Sequence, residues 1–310
     1  MSQNILVSVI IPTYKRPTYL KRAIQSVLQQ TYQNIEVIVV DDNNPSSEGR
    51  VLTEQVMDFY KDNEKVLYIK HEYNKNGSAA RNTGARESKG EYLMFLDDDD
   101  EFYPQKVESQ LNCLLNKSTD FQACYSNYDR FDSKGKLIDK CGENREGNLY
   151  LEALKRNFFV QAGSNLMVSR KAFFNINGFD ESFLRNQDLE FLARLLLKYK
   201  ICYSDIKGSK INLGDHSGLS SMDFGETTEQ YKTRFKAIID AELKEDEAKE
   251  LEIFLALQVY RFYFLKKDFK KSRLVKKKYK IKSNLIFRYF FHLLHRKITK
   301  TCCGFMGSIL

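Results

Sequence analysis

Four short apolar runs alternate with helix-length segments over the first hundred residues, and that alternation leaves few folds open. Leu6-Val7-Ser8-Val9-Ile10-Ile11 and Ile35-Glu36-Val37-Ile38-Val39-Val40 are β-branched and apolar nearly throughout, the composition of strands buried on both faces of a parallel sheet. Val66-Leu67-Tyr68-Ile69 and Tyr92-Leu93-Met94-Phe95-Leu96 read as two more strands. Pro12 is expected to end the first. From Thr18 to Gln30, Leu20, Ile24, Val27 and Leu28 recur at helical spacing. A polar helix is expected at about 48–62, and another over Ala79 to Ser88. The order β-α-β-α-β-α-β predicts an α/β fold built on a doubly wound, mostly parallel sheet, whose ligands gather outside the carboxyl ends of the strands.

Three of those strand ends carry polar groups: Thr13-Tyr14-Lys15-Arg16, Asp41-Asp42-Asn43-Asn44, and Asp97 to Asp100. Four consecutive carboxylates repel and raise one another's pKa, so a fold that keeps them usually offsets them with a cation. Hard oxygen ligands suit Mg²⁺ or Mn²⁺, particularly an ion shared with substrate phosphates. No GxGxxG fingerprint follows any strand, which argues against a dehydrogenase.

The middle of the chain, about 102–222, is mixed. Phe121 to Ser126 reads as a strand, Asp132-Ser133-Lys134-Gly135-Lys136 as a hairpin turn, Gly163 to Val168 as a short strand, and Asn186 to Tyr199 as a helix with Leu189, Leu192, Leu196 and Tyr199 on one stripe. From about 226 onward the pattern is helical. Charge divides the chain unevenly. Residues 261–300 hold 15 Lys or Arg against Asp268 alone, a net of +14, which leaves −6 on the remainder of a +8 chain. The basic residues precede Leu285-Ile286-Phe287-Arg288-Tyr289-Phe290-Phe291, a combination suited to an interfacial helix on anionic lipid and less suited to nucleic acid. No segment reaches the ~20 apolar residues of a spanning helix, and no signal peptide is apparent. The six cysteines show no CxxC pair or zinc-ligand spacing, so reduced thiols in a cytoplasmic protein are expected.

Six motifs in order resemble glycosyltransferase family two: Val9-Ile10-Ile11-Pro12-Thr13-Tyr14, Val39-Val40-Asp41-Asp42-Asn43, Asn76-Gly77-Ser78-Ala79-Ala80-Arg81-Asn82-Thr83-Gly84, Phe95-Leu96-Asp97-Asp98-Asp99-Asp100, Gly178-Phe179-Asp180-Glu181, and Asn186-Gln187-Asp188-Leu189-Glu190. The resemblance spans roughly residues 5–222. It implies a glycosyltransferase-A fold: a catalytic domain over 1–222, its nucleotide-binding half about 1–100 and its acceptor half about 101–222, followed by a helical segment, 223–310. It implies transfer from a nucleotide diphosphate sugar, UDP-linked, to a hydroxyl of a glycan or lipid-linked acceptor, with inversion, in surface polysaccharide or glycoconjugate synthesis; docking on the inner face of the membrane is expected from the basic segment instead.

Carried onto this sequence, the resemblance puts Pro12 and Tyr14 at the base, with Asp42 accepting from a base N–H. Arg81 would contact the nucleotide or brace the carboxylates, and Asp98 would reach the ribose. Asp97 and Asp99 would hold Mn²⁺ or Mg²⁺, with the register Asp98-x-Asp100 as the alternative, and His216 could join them. Asp188 would be the catalytic base. The family often has an acid just before that aspartate, where this chain has Gln187. A sugar nucleotidyltransferase and a non-catalytic binding scaffold are the rival readings. The first typically opens with a Gly-rich phosphate loop, where Pro12-Thr13-Tyr14 stands here.

Overall fold

The computed structural model describes residues 4–183, 187–213 and 224–309. Its first hundred residues run β1 (Val7–Thr13), α1 (Pro17–Leu28), β2 (Ile35–Asp41), α2 (Glu48–Met57), β3 (Val66–Lys70), α3 (Gly77–Glu87) and β4 (Tyr92–Phe95). The four strands lie in the order β3-β2-β1-β4, all parallel, as the alternation predicts. Val9, Ile11, Val37 and Val39 face α1, whose Leu20, Ala23, Ile24 and Val27 close that side. Ile10, Ile38 and Val40 face the other side, against Ala80 and Ala85 of α3. Gly84 lets α3 lie this close: a Cβ there would come within 2.4 Å of Ile10.

Pro12 does not end its strand. It pairs with Val40 inside β1. The Ile10 carbonyl accepts from Leu96 on the β4 side. Alternation turns the nitrogen of residue 12 to that side too, where β4 has already stopped, so no ladder bond is lost.

The second half continues with β5 (Glu101–Phe102), α4 (Lys106–Leu115), β6 (Phe121–Phe131), β7 (Leu137–Cys141), α5 (Tyr150–Leu154), α6 (Ala162–Asn165), β8 (Met167–Ser169), α7 (Arg170–Asn175), α8 (Gln187–Lys198) and β9 (Lys200–Asn212). β8 joins the sheet antiparallel between β4 and β6, and β9 lies parallel to β6. The expected strand over 163–168 is half helical turn, with only its end in β8. The turn at 132–136 forms as expected, with Asp132 Oδ1 accepting from the N–H groups of Lys134 and Lys136 at 2.9 Å each.

Helices α9 (Phe224–Glu242), α10 (Glu245–Leu265), α11 (Phe269–Lys278) and α12 (Ser283–Thr299) follow, and β10 (Thr301–Cys302) returns to pair with β7. Tyr231 and Phe235 of α9 and Leu251 and Leu255 of α10 enter the same core as Ile10 and Phe95. Phe254, Ala256 and Leu257 of α10 pack instead with Ile281, Leu285, Tyr289, Phe305 and Ile309. No described helix is long and apolar enough to cross a membrane.

One buried cation has a measurable consequence. Lys106 is fully buried, with its Nζ donating to Asn165 Oδ1 at 2.6 Å and to the Asn165 carbonyl at 3.2 Å. Burial pulls its pKa down to about 7 from 10.5. Between those values the unfolded chain binds the proton and the folded one does not, so this group makes stability rise with pH from about 7 to 10.5. Lys106→Met is expected to remove that slope, read as urea midpoints across the window. A slope unchanged in the variant would assign it elsewhere.

Candidate active site

β1, β2 and β4 end on one edge of the sheet, which brings the three polar strand exits together. The Thr13 hydroxyl donates to Asp98 Oδ2 at 2.7 Å. Arg16 bridges Asp98, at 2.8 Å from Nη2 to Oδ1, and Asp99. Arg81 pairs with Asp97. From β9, the Asn212 N–H donates to Asp100 Oδ1 at 2.8 Å, and its Nδ2 to the Asp99 carbonyl at 2.7 Å. Two guanidiniums thus face four carboxylates. Burial pushes Asp98 up to about 7 against the pull of Arg16. Asp100 is raised well above the usual range by burial and then by Asp97 and Asp99. A bound cation would relieve that condition.

Two cavities open at this edge. The first, about 530 Å³, is lined by Pro12, Tyr14, Asp42, Asn74, Asn76 and Ala80 among others. The second, about 300 Å³, is lined by Asp99, Asp100, Gly163, Ser164, Asp188 and Asn212 among others. Arg16, Arg81, Asp97 and Gln187 line both. Asp98 lines neither; it lies fully buried beneath Thr13 and Arg16. In this arrangement it braces the floor of the site. Asp97 has a side chain 35% exposed, whereas Asp99 is buried and paired with Arg16; both line the second cavity, as does Asp100. The donor set is all hard oxygen and fits Mg²⁺ or Mn²⁺. Among the described residues no three carboxylate or imidazole ligands converge here, so an ion would complete its shell with substrate oxygens, as Mg²⁺ usually does.

Asp42 is occupied within the protein. Its Oδ1 meets His71 Nδ1 at 2.7 Å and the Lys75 N–H at 2.8 Å; its Oδ2 accepts from Asn74 Nδ2 at 2.8 Å and the Asn76 N–H at 2.9 Å. A carboxylate offers about four acceptor sites, so a base N–H must displace one of these donors. Asp42 therefore shapes the 74–76 turn that walls the first cavity. Asp41 is wholly structural, held by Tyr68 and Asn43 and paired with Arg50.

Asp188 sits in the first turn of α8 at the second cavity. Burial raises its pKa, Arg81 pulls it back, and Asp97 adds to the rise. His216 and Asn186 lie outside the described residues. Sequence reasoning passed over Asn74, Gln161, Ser164 and Asn212, and quoted Asn76 in a motif without giving it a role. Asn76 had a local signal, since its side chain caps α3 by accepting from Ser78 and Ala79. Ser164 and Asn212 reach the site from distant elements, with none.

A family model described as "Glycosyl transferase family 2" matches residues 8–176. A Rickettsia bellii protein named "Uncharacterized glycosyltransferase" is 35% identical over 195 residues, 61% of this chain and 27% of its own. A Rickettsia felis protein of the same name is 31% identical over 252 residues, 80% of this chain and 40% of its own. The chain therefore spans less than half the length of either relative. The crystal structure of S. aureus TarS 1–349 in complex with UDP-GlcNAc superposes with a TM-score of 0.63 at 18% identity, covering 84% of this chain and 73% of that one. That likeness establishes the fold as the glycosyltransferase-A architecture.

Proposed function

This chain belongs to glycosyl transferase family 2, and on that premise we propose that it moves a sugar from a UDP-linked donor to a hydroxyl acceptor with inversion, in the assembly of a surface polysaccharide or glycoconjugate. The observation that carries this reading is the pair of adjoining cavities, one walled by Pro12, Tyr14 and Asp42, the other bearing Asp188, with Arg81 and Asp97 between them. The Tyr14 ring, 37% exposed, lies against the base. The base N–H takes the place of Asn74 Nδ2 on Asp42. The diphosphate lies over Asp97 and Asp99, which would hold Mn²⁺ or Mg²⁺, with His216 as a further proposed ligand. Such an ion, when bound, acts as a Lewis acid that neutralises charge on the leaving diphosphate. Arg81 positions Asp97. Asp188 accepts the proton of the attacking hydroxyl, and the raised pKa makes it a stronger base than an exposed aspartate. A panel of nucleotide diphosphate sugars supplied with Mn²⁺ and scored by nucleotide release tests the reading. Release from UDP sugars alone is expected; release of some other nucleotide, or of none, would overturn it.

The reading extends to where the enzyme works. α12 buries Leu285 and Tyr289 against α10, yet Phe287, Phe291, Leu294 and Ile298, spaced as one helical stripe, are 72%, 63%, 53% and 72% exposed. Arg288 and Lys297 flank the stripe, and α11 adds Lys276, Lys277 and Lys278. An exposed aromatic stripe with cationic flanks suits the headgroup region of anionic lipid at the cytoplasmic membrane face, where lipid-linked acceptors present their hydroxyls. In flotation with phosphatidylglycerol-containing vesicles, the double variant Phe287→Ser, Phe291→Ser should partition at least about tenfold less than the wild type, since each phenylalanine contributes about 1.5–3 kcal/mol on burial. Equal flotation of the two would remove the stripe as the anchor.

A further inference from the structure

Three cysteines that sequence spacing keeps apart meet in the fold. Cys124 and Cys202 stand opposite each other in the register of β6 and β9, both fully buried. Cys113 covers them from α4 and is the partly exposed member. All three Sγ atoms lie within 4.8 Å of one another, and among the described residues this is the one cluster of metal-ligand side chains so close together. We propose that Cys113, Cys124 and Cys202 form a trigonal binding site for a soft monovalent cation of the Cu(I) type, distinct from the sugar-transfer site.

The geometry and the donor chemistry both favour such an ion. Thiolate–metal bonds of about 2.3 Å in a planar three-coordinate shell put the sulfurs about 4.0 Å apart, so closure asks for a contraction of under about 1 Å. Soft sulfur donors select Cu(I) over hard cations. A structural Zn²⁺ needs four ligands, and no fourth side-chain donor joins the cluster among the described residues. The surroundings are apolar: Val107, Leu111 and Leu114 of α4 belong to the same core as Cys124 and Cys202. Each thiol now rests on a backbone carbonyl, Cys113 on Tyr203 at 3.3 Å, Cys202 on Ala123 at 3.5 Å and Cys124 on Tyr125 at 3.6 Å. These are weak partners that a metal can replace. Cys113, the partly exposed member, gives the buried pair its way to solvent. Each thiol that binds releases its proton to water, and no electron is transferred.

Anaerobic titration of the reduced full chain with Cu(I), against a coloured chelator such as bicinchoninate, tests the site. One equivalent should bind tightly, with a rise in thermal midpoint because the ion ties α4 to two strands. Cys113→Ser should weaken that binding at least a hundredfold, while Cys303→Ser, which alters a cysteine outside the cluster, should leave it unchanged. X-ray absorption of the loaded wild type should show three sulfurs around copper. Equal affinity in Cys113→Ser, or a shell of one or two sulfurs, would overturn the proposal. The absorption result holds independently of whether the variant folds, and neither readout depends on sugar transfer.

Discussion

Replacement of Asp188 by asparagine is expected to lower kcat by about 10³, within the 10²–10⁴ range that a general base contributes. Asparagine keeps the shape and the place in the first turn of α8 and removes only the capacity to take a proton. Donor affinity should persist, because the residues walling the first cavity are untouched and Asp188 lines only the second. Calorimetric titration with UDP beside steady-state rates separates the two effects. A variant that turns over normally would take Asp188 out of the chemistry, and one that loses UDP binding would make it part of the donor site. The same residue governs pH behaviour. Burial lifts its pKa and Arg81 opposes the lift, so the acid limb of kcat/KM should lie above the ordinary aspartate range, with activity falling as pH drops through it.

The second large effect is expected from divalent cations. EDTA should reduce turnover by about 10²–10³, since several kcal/mol of charge stabilisation at 1.36 kcal/mol per decade amounts to that much. Restoration by Mn²⁺ is expected in the wild type. Asp97→Asn and Asp99→Asn should each raise the Mn²⁺ concentration needed for half activity, because both face the second cavity. Asp98→Asn should scarcely move it. Its carboxyl is sealed under Thr13 and Arg16 and already titrates near neutrality, so a neutral amide resembles one of its own protonation states. The three titrations decide the register of the acid run. If Asp98→Asn gave the largest shift, Asp98-x-Asp100 would replace Asp97-x-Asp99. Full activity in EDTA would remove the metal altogether.

Which parts of this structure could be read from sequence follows from how local their causes are. β1 and β2 are apolar on both faces because both faces are covered, and that is visible in any window of six residues. The acid run is equally local, and its convergence with Tyr14 and Asp42 follows from strand direction alone. β9 is different. Asp205, Lys207 and Lys210 interrupt it, and its pairing with β6 shifts register between Ser126 and Tyr128, so no clean alternation is left to detect. Asn165 illustrates the remaining difficulty. Its side chain ties Lys106, Ser126 and the Val160 carbonyl together, and only one of those partners is a near neighbour in sequence. The saturation of Asp42 was hidden for a related reason, since two of its four donors are backbone N–H groups, which every non-proline residue carries.

Because α10 gives Leu251 and Leu255 to one core and Phe254 and Leu257 to the other, the chain melts as a unit or its unfolding begins inside a single helix. β10 tightens this linkage by closing the far edge of the sheet with residues 301–302. The practical result is cooperativity between distant ends. A substitution that loosens Tyr289 or Phe305 should lower the melting temperature of the first hundred residues as well, and on the proposed reading UDP should raise that of helices it never touches.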